Sequence, residues 1–353
     1  MSNLGTSEKS PALRGGLTAL LAALLFGVST PLTQHFGAGL GPFTTAALLY
    51  AGAAAVALLF QKPANEEARV RRSDTRTLLA MAAFGAVVGP VALAWGLQRT
   101  SGTSASLMLA LEALFTVALA RWMCGESIDR RVSAAMFLLI AGGLVLVFDQ
   151  GQIGNAHLHG LSAVLLATLA WGVDNTLSRA VAERDPGQVV LFKALLGSTA
   201  TTVLAWAFSE SLPAMGAMVT LFLIGATGYG LSLRFYLLAQ RAFGAGRTGS
   251  VFAFAPFIGA FVAYAAGERA GTWVLSLGGV LMLCGVVLHL AERHAHTHSH
   301  DPLEHEHAHR HDDGHHDHTH DPMPTGAHNH AHVHDAVRHA HPHVPDSHHV
   351  HSH

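Results

Sequence analysis

"GTSASLMLALEALFTVALARWMCGESIDRRVSAAMFLLIAGGLVL" occupies residues 102–146, and "GAGRTGSVFAFAPFIGAFVAYAAGERAGTWVLSLGGVLMLCGVVL" occupies 244–288. The two overlay without a gap at an offset of 142 residues, with 11 of 45 positions identical. Apolar composition alone accounts for some of those identities. It does not account for Gly125-Glu126 falling in register with Gly267-Glu268, flanked by Ala113/Ala255, Phe115/Phe257 and Gly143/Gly285. A second pair, "LLFGVSTPL" (24–32) and "LAWGVDNTL" (169–177), extends the duplication toward the start of each copy. The chain therefore reads as an N-terminal segment (1–11), one repeat (12–149), a second repeat (158–290) and a tail (291–353).

Each repeat is a run of apolar stretches. Half of all residues are hydrophobic and only 12% are charged, too apolar for an ordinary soluble domain. Ten stretches, near 14–33, 41–60, 77–97, 103–121, 132–149, 159–180, 188–208, 214–238, 249–267 and 271–290, are long enough to cross a bilayer as helices. The fold class is thus an all-α membrane protein of ten transmembrane helices. Because five is odd, the second repeat enters the membrane upside down relative to the first. Inverted repeats of this kind build secondary transporters, with the substrate site between the halves near the midplane. Gly89-Pro90, Pro31 and Pro256 interrupt spans and mark kinks.

Lys and Arg set the orientation. "QKPANEEARVRRSDTR" has five and "RWMCGESIDRR" three, whereas "TQHFGAGLG", "DQGQIGNAHLHG" and "SESLPA" have none. Positive loops stay in the cytoplasm, so both termini are expected there, in a multi-pass protein of the plasma (inner) membrane. The body's positive charge is scattered through these loops, which excludes a nucleic-acid partner. Two cysteines, Cys124 and Cys284, imply no disulfide framework. No G-x-S-x-G, H-E-x-x-H or P-loop appears, so an enzyme is not expected and no cofactor is required.

At these residues the chain resembles the drug/metabolite transporter superfamily, specifically its EamA-type ten-helix members. "AWGLQRTSGTSASLMLALEALFTVALARWMCGE" is similar to the family's fourth-helix signature ending in Gly-Glu, and "GYGLSLRFYLLAQRAFGAGRTGSVFAFAPFIGAFVAYAAGE" to its counterpart in the second half. The resemblance covers essentially all of 12–290 and implies a carrier of small molecules, commonly an exporter, without naming a substrate. One departure stands out. The proline that usually follows the fourth-helix Glu is Leu114 here, while its repeat mate keeps Pro256, so the kink is expected to be missing from the first half.

Ionisable groups within spans are costly and face a cavity or a partner. Glu112 lies near the middle of the fourth span, as either a coupling acid or a protonated packing residue. Asp174 and Asn175 interrupt the sixth span, and Lys193 the seventh. Asp174 and Lys193 are equally far from the turn "ERDPG", which puts both about 10 Å from the cytoplasmic end at helical rise. They form a pair, share a substrate, or stand apart with Lys193 snorkelling to the headgroups. Tyr229, Ser29 and Thr30 are polar partners of lower rank. Gly125, Glu126, Gly267 and Glu268 read as helix ends, with Gly stopping the helix and Glu meeting backbone or basic groups.

The tail holds 23 of the chain's 27 histidines. His294, His296, His298, His300, His305, His307, His309, His311, His315, His316, His318 and His320 open the run. Almost without large apolar residues, it is expected to be disordered. Imidazoles at H-x-H spacing are ligands for Zn, Ni or Co, so metal ions join the lipid bilayer and a small-molecule substrate as expected partners. Sequence leaves the oligomeric state unknown. Three functions follow: a metabolite or drug exporter with a metal-binding regulatory tail, a transition-metal or metal-chelate exporter whose tail collects cargo, and a membrane-anchored metal store. The last is disfavoured, because ten spans exceed what an anchor needs.

Overall fold

The computed structural model describes residues 11–61, 67–124, 130–148, 155–181, 184–243, 245–268, 273–290 and four segments of the tail. The described residues of the body are helical apart from short connections, one of which bridges Ala68 and Arg184. The first repeat contains α1 (Pro11–Phe36), α2 (Pro42–Leu59), α3 (Thr75–Met81), a π-helical turn (Ala82–Val88), α4 (Gly89–Leu97), α5 (Gly102–Met108), α6 (Leu111–Cys124) and α7 (Arg130–Val147). The second contains α8 (Asn155–Ser178), α9 (Pro186–Ala207), α10 (Met215–Ile224), a second π turn (Gly225–Leu231), α11 (Ser232–Phe243), α12 (Ala245–Phe252), α13 (Ala255–Ala265) and α14 (Trp273–Leu290).

Among the described residues eight helices are long and apolar enough to span a membrane, and two shorter apolar ones, Ala255–Ala265 and Trp273–Leu288, bring the set to ten. Large apolar side chains such as Leu58, Phe137, Trp206 and Phe261 point outward, while Thr30, Asp174, Lys193 and Thr201 are buried. A bundle solvated by hydrocarbon distributes its groups this way, because polar atoms must find partners inside.

Packing repeats with the sequence. On α1, Gly27 lets the helix lie against the Ala255 carbonyl and Ile258 of α13, and on α8 its mate Gly172 lies against Phe115 of α6. The π turns also correspond. A Cβ on Gly85 would run into the Asp174 carboxylate, and one on Gly228 into Ser29. Since Ser29 and Asp174 are repeat mates, each half sets the same helix position against the fourth residue of the other half's π turn.

One expectation is corrected. The fourth span breaks without its proline, because the chain between α5 and α6 tightens into three-residue bonds, from Ala110 N to Leu107 O (2.9 Å) and from Glu112 N to Leu109 O (3.0 Å). The ninth span breaks in the corresponding place, between α12 and α13, just ahead of Pro256.

In the tail, β1 (His294–Ser299) pairs antiparallel with β4 (Arg338–His343), and β2 (Leu303–His309) with β3 (His328–His334). His-x-His alternation has a strand's own period of two. Register sets histidine across from histidine, as in His296/His341, His298/His339, His305/His332 and His307/His330.

Candidate functional site

The first π turn opens the site. In such a turn each N–H reaches back five residues, and the Gly89 N–H bonds Phe84 O. The donor due to Gly85 O would come from residue 90, which is proline and has none. The orphaned carbonyl is filled from two other helices, by the Tyr50 hydroxyl of α2 and by Trp171 Nε1 of α8 at 3.0 Å. Both aromatic side chains are thereby fixed, and the glycine between them leaves room for Asp174.

Asp174 and Lys193 form an ion pair through Oδ2 and Nζ, both side chains almost wholly buried. Lys193 is only 3% exposed, so it does not snorkel. The Oδ1 atom of Asp174 is buried without a hydrogen-bond partner. One residue along α8, Asn175 Nδ2 donates to Glu112 Oε1 at 2.6 Å, which joins the middle of the fourth span to the sixth. These four side chains line a cavity with Phe26, Tyr50, Trp171, Gly228, Tyr229, Ser232, Leu233, Tyr236 and Phe252. Its volume is about 60 Å³, and it is partly open to solvent. Both repeats contribute to its wall.

Two carboxylates of the second repeat close one end of the bundle onto helix N-termini of the first. Glu210 accepts from Phe43 N (3.2 Å) and Thr44 N (2.7 Å) at the start of α2. Glu268 accepts from Gly102 N (2.7 Å), Thr103 N (2.8 Å) and Thr103 Oγ1 (2.6 Å) at the start of α5. Negative groups are favoured there because the first N–H groups of a helix lack internal partners. Gly267, at φ +103°, ends the turn after α13 in a conformation that suits glycine and turns the chain toward α5.

A sequence description of the EamA-like transporter family fits residues 13–148, and fits again at 158–291. The chain belongs to the EamA-like transporter family. This EamA-like protein is therefore a multi-pass membrane transporter of the drug/metabolite transporter superfamily and not an enzyme. Over 311 residues it is 24% identical to a protein of Methanothermobacter thermautotrophicus named an uncharacterized transporter, with 82% of this chain and 90% of that one covered. It also superposes on a solved structure described simply as a crystal structure of a protein, with a TM-score of 0.59, 18% identity, and 78% of this chain and 94% of the other covered. At that identity the likeness speaks for the fold alone.

Of the residues singled out in the EamA-like sequence, Glu112, Asp174, Asn175, Lys193 and Tyr229 meet at the cavity. Ser29 and Thr30 do not line it. Both are buried, and the Ser29 hydroxyl donates to Phe26 O at 2.6 Å. Glu268 holds α5, and Pro256 sits in the first turn of α13. Gly125 and Glu126 lie outside the described residues. Among the described residues no three His, Cys, Asp or Glu side chains gather as a metal site. Sequence reasoning missed Tyr50, Phe26, Tyr236 and Phe252, whose aromatic character is unremarkable in a span. The signal for Tyr50 was Pro90, whose missing N–H leaves a carbonyl in need of a donor.

Proposed function

We propose that this EamA-like protein is a secondary carrier that exports a small metabolite or drug-like molecule from the cytoplasm by alternating access, with both termini cytoplasmic in the plasma membrane. The observation that carries this reading is the buried pair Asp174–Lys193 beside Glu112–Asn175, in a cavity to which both repeats contribute. Charges inside a span cost several kcal/mol and are kept where cargo or protons pass. The substrate site is built from Asp174 with its partner Lys193, Asn175 and Tyr229, and coupling belongs to Glu112.

The tail, in this account, binds Zn, Ni or Co and regulates or stabilises the carrier. Its cross-strand histidine register supports metal binding, because residues directly opposite in an antiparallel pair lie at one level. Export of the metal itself is the second reading, and the histidine density of the tail favours it. Against it, the described residues of the cavity lining include neither histidine nor cysteine, the ligands such metals prefer.

Proteoliposomes loaded with a metabolite panel test the first reading. We expect flux of at least one compound, lost in E112Q and D174N and retained when 294–353 is deleted. Flux of none, with metal moved instead, would favour the second reading.

A further inference from the structure

Six rings from six elements surround the cavity. Phe26 stands edge-on to Trp171 (centroids 5.6 Å apart, planes at 82°) and to Tyr229 (5.8 Å, 68°), and packs against Phe252 at 5.5 Å. Tyr50 meets Tyr229 at 5.5 Å, and Tyr236 meets Phe252 edge-on at 5.0 Å. Among the described residues of the lining the carboxylates are Glu112 and Asp174, against one cation, Lys193. Aromatic faces gathered beside a carboxylate are how proteins hold ammonium ions, because the ring quadrupole and the charge attract the same ligand.

The chain already supplies one such ligand. The Lys193 ammonium rests on Asp174 Oδ2, while Asp174 Oδ1 and the Tyr229 hydroxyl are buried without partners. We propose that the cargo is an organic ammonium ion, and that Lys193 is its tethered stand-in, seated on Asp174 when the cavity is empty and released when cargo enters. The proposal rests on the carrier reading above and names the substrate class of the same site. An anion would face two carboxylates with the one lysine already engaged. An uncharged molecule would leave the Asp174 charge to Lys193 and would gain nothing from displacing it.

Titration calorimetry on the full-length protein in detergent tests this, with tetraethylammonium and phenethylamine as cations and phenylacetate as the anion of matching shape. The cations are expected to bind and phenylacetate is not. K193M removes the competitor and is expected to tighten phenethylamine binding about tenfold, whereas D174N weakens it by about tenfold or more. The inference is overturned if phenylacetate binds as well as phenethylamine, if neither cation binds at ~10 mM (about −2.7 kcal/mol), or if folded K193M loses cation binding. Should K193M fail to fold, K193R decides. A guanidinium grips a carboxylate through two bonds, so phenethylamine is expected to bind about fivefold more weakly, and unchanged or tighter binding overturns the proposal. Proteoliposome flux separates the two levels of the account. Transport of an anionic or neutral compound that needs Asp174 would remove the ammonium inference and leave the carrier. Cation binding without transport of anything would do the reverse.

Discussion

At the level where α8 carries Asp174, the repeat mate on α1 carries Ser29. Counted from the prolines that open α2 and α9, the position of Lys193 is taken in the first repeat by Leu49. The two halves share helix crossings, π turns and small residues at close approaches, yet the helix pair that is ionic in the second half is neutral in the first, whose own ionisable group at the cavity, Glu112, sits on a different helix. Ser29 and Leu49 are as fully buried as their charged mates, so the scaffold does not require charge there. A buried ion pair is also a poor stabiliser, since desolvation offsets most of its attraction. Duplication thus accounts for the framework, and departure from duplication marks the site.

The sharpest way to break this comparison is to remove one partner of the ionic pair. K193M alone leaves Asp174 charged and buried and is expected to cost about 3–5 kcal/mol in unfolding free energy, whereas D174N/K193M together cost far less. Thermal melts in detergent read the difference, and equal losses in the two proteins would remove the argument that the pair is not structural.

Next come the mated glycines. G85A drives a methyl into the Asp174 carboxylate and G228A drives one into Ser29, each overpacking costing about 1–3 kcal/mol. The halves should then part company. S29G restores G228A because the obstacle is a small neutral side chain, while no shortening of Asp174 restores G85A without loss of transport. Rescue of both by trimming the facing residue would erase the distinction.

A smaller effect is expected at the end of the bundle. E268A removes the acceptor of three donors on α5, and a lost helix cap costs about 0.5–2 kcal/mol. Smallest is S29A, within about 1 kcal/mol, because its hydroxyl bonds only the carbonyl three residues back on its own helix, a modest net contribution. A large loss of transport in S29A would show the neutral helix pair to be more than framework.

Much of this was legible in the amino-acid order. Periodic apolar runs and the in-register Gly-Glu pairs disclosed the repeats, since a duplicated packing scheme needs its small residues in the same places. Equal distance from one turn put Asp174 and Lys193 at one depth, because antiparallel helices share depth, and left open whether they pair. The kink of the fourth span was hidden, because three-residue hydrogen bonding depends on what surrounds the helix and not on Leu114. Tyr50 and Phe252 were hidden because an aromatic residue in a span looks the same whether it faces lipid or a cavity. The pairing of His296 with His341 was hidden because the sequence between them sets no register.

The measurement closest to the central claim needs no substrate. With Cys124 and Cys284 replaced, Leu233→Cys places one thiol on the cavity wall, to be challenged with a membrane-impermeant maleimide in vesicles of each orientation. The account predicts modification from both faces of the membrane, with E268A raising the rate from the face at which Glu268 holds α5. A thiol reached from one face only, in both proteins, would contradict a cavity that opens alternately between two inverted halves.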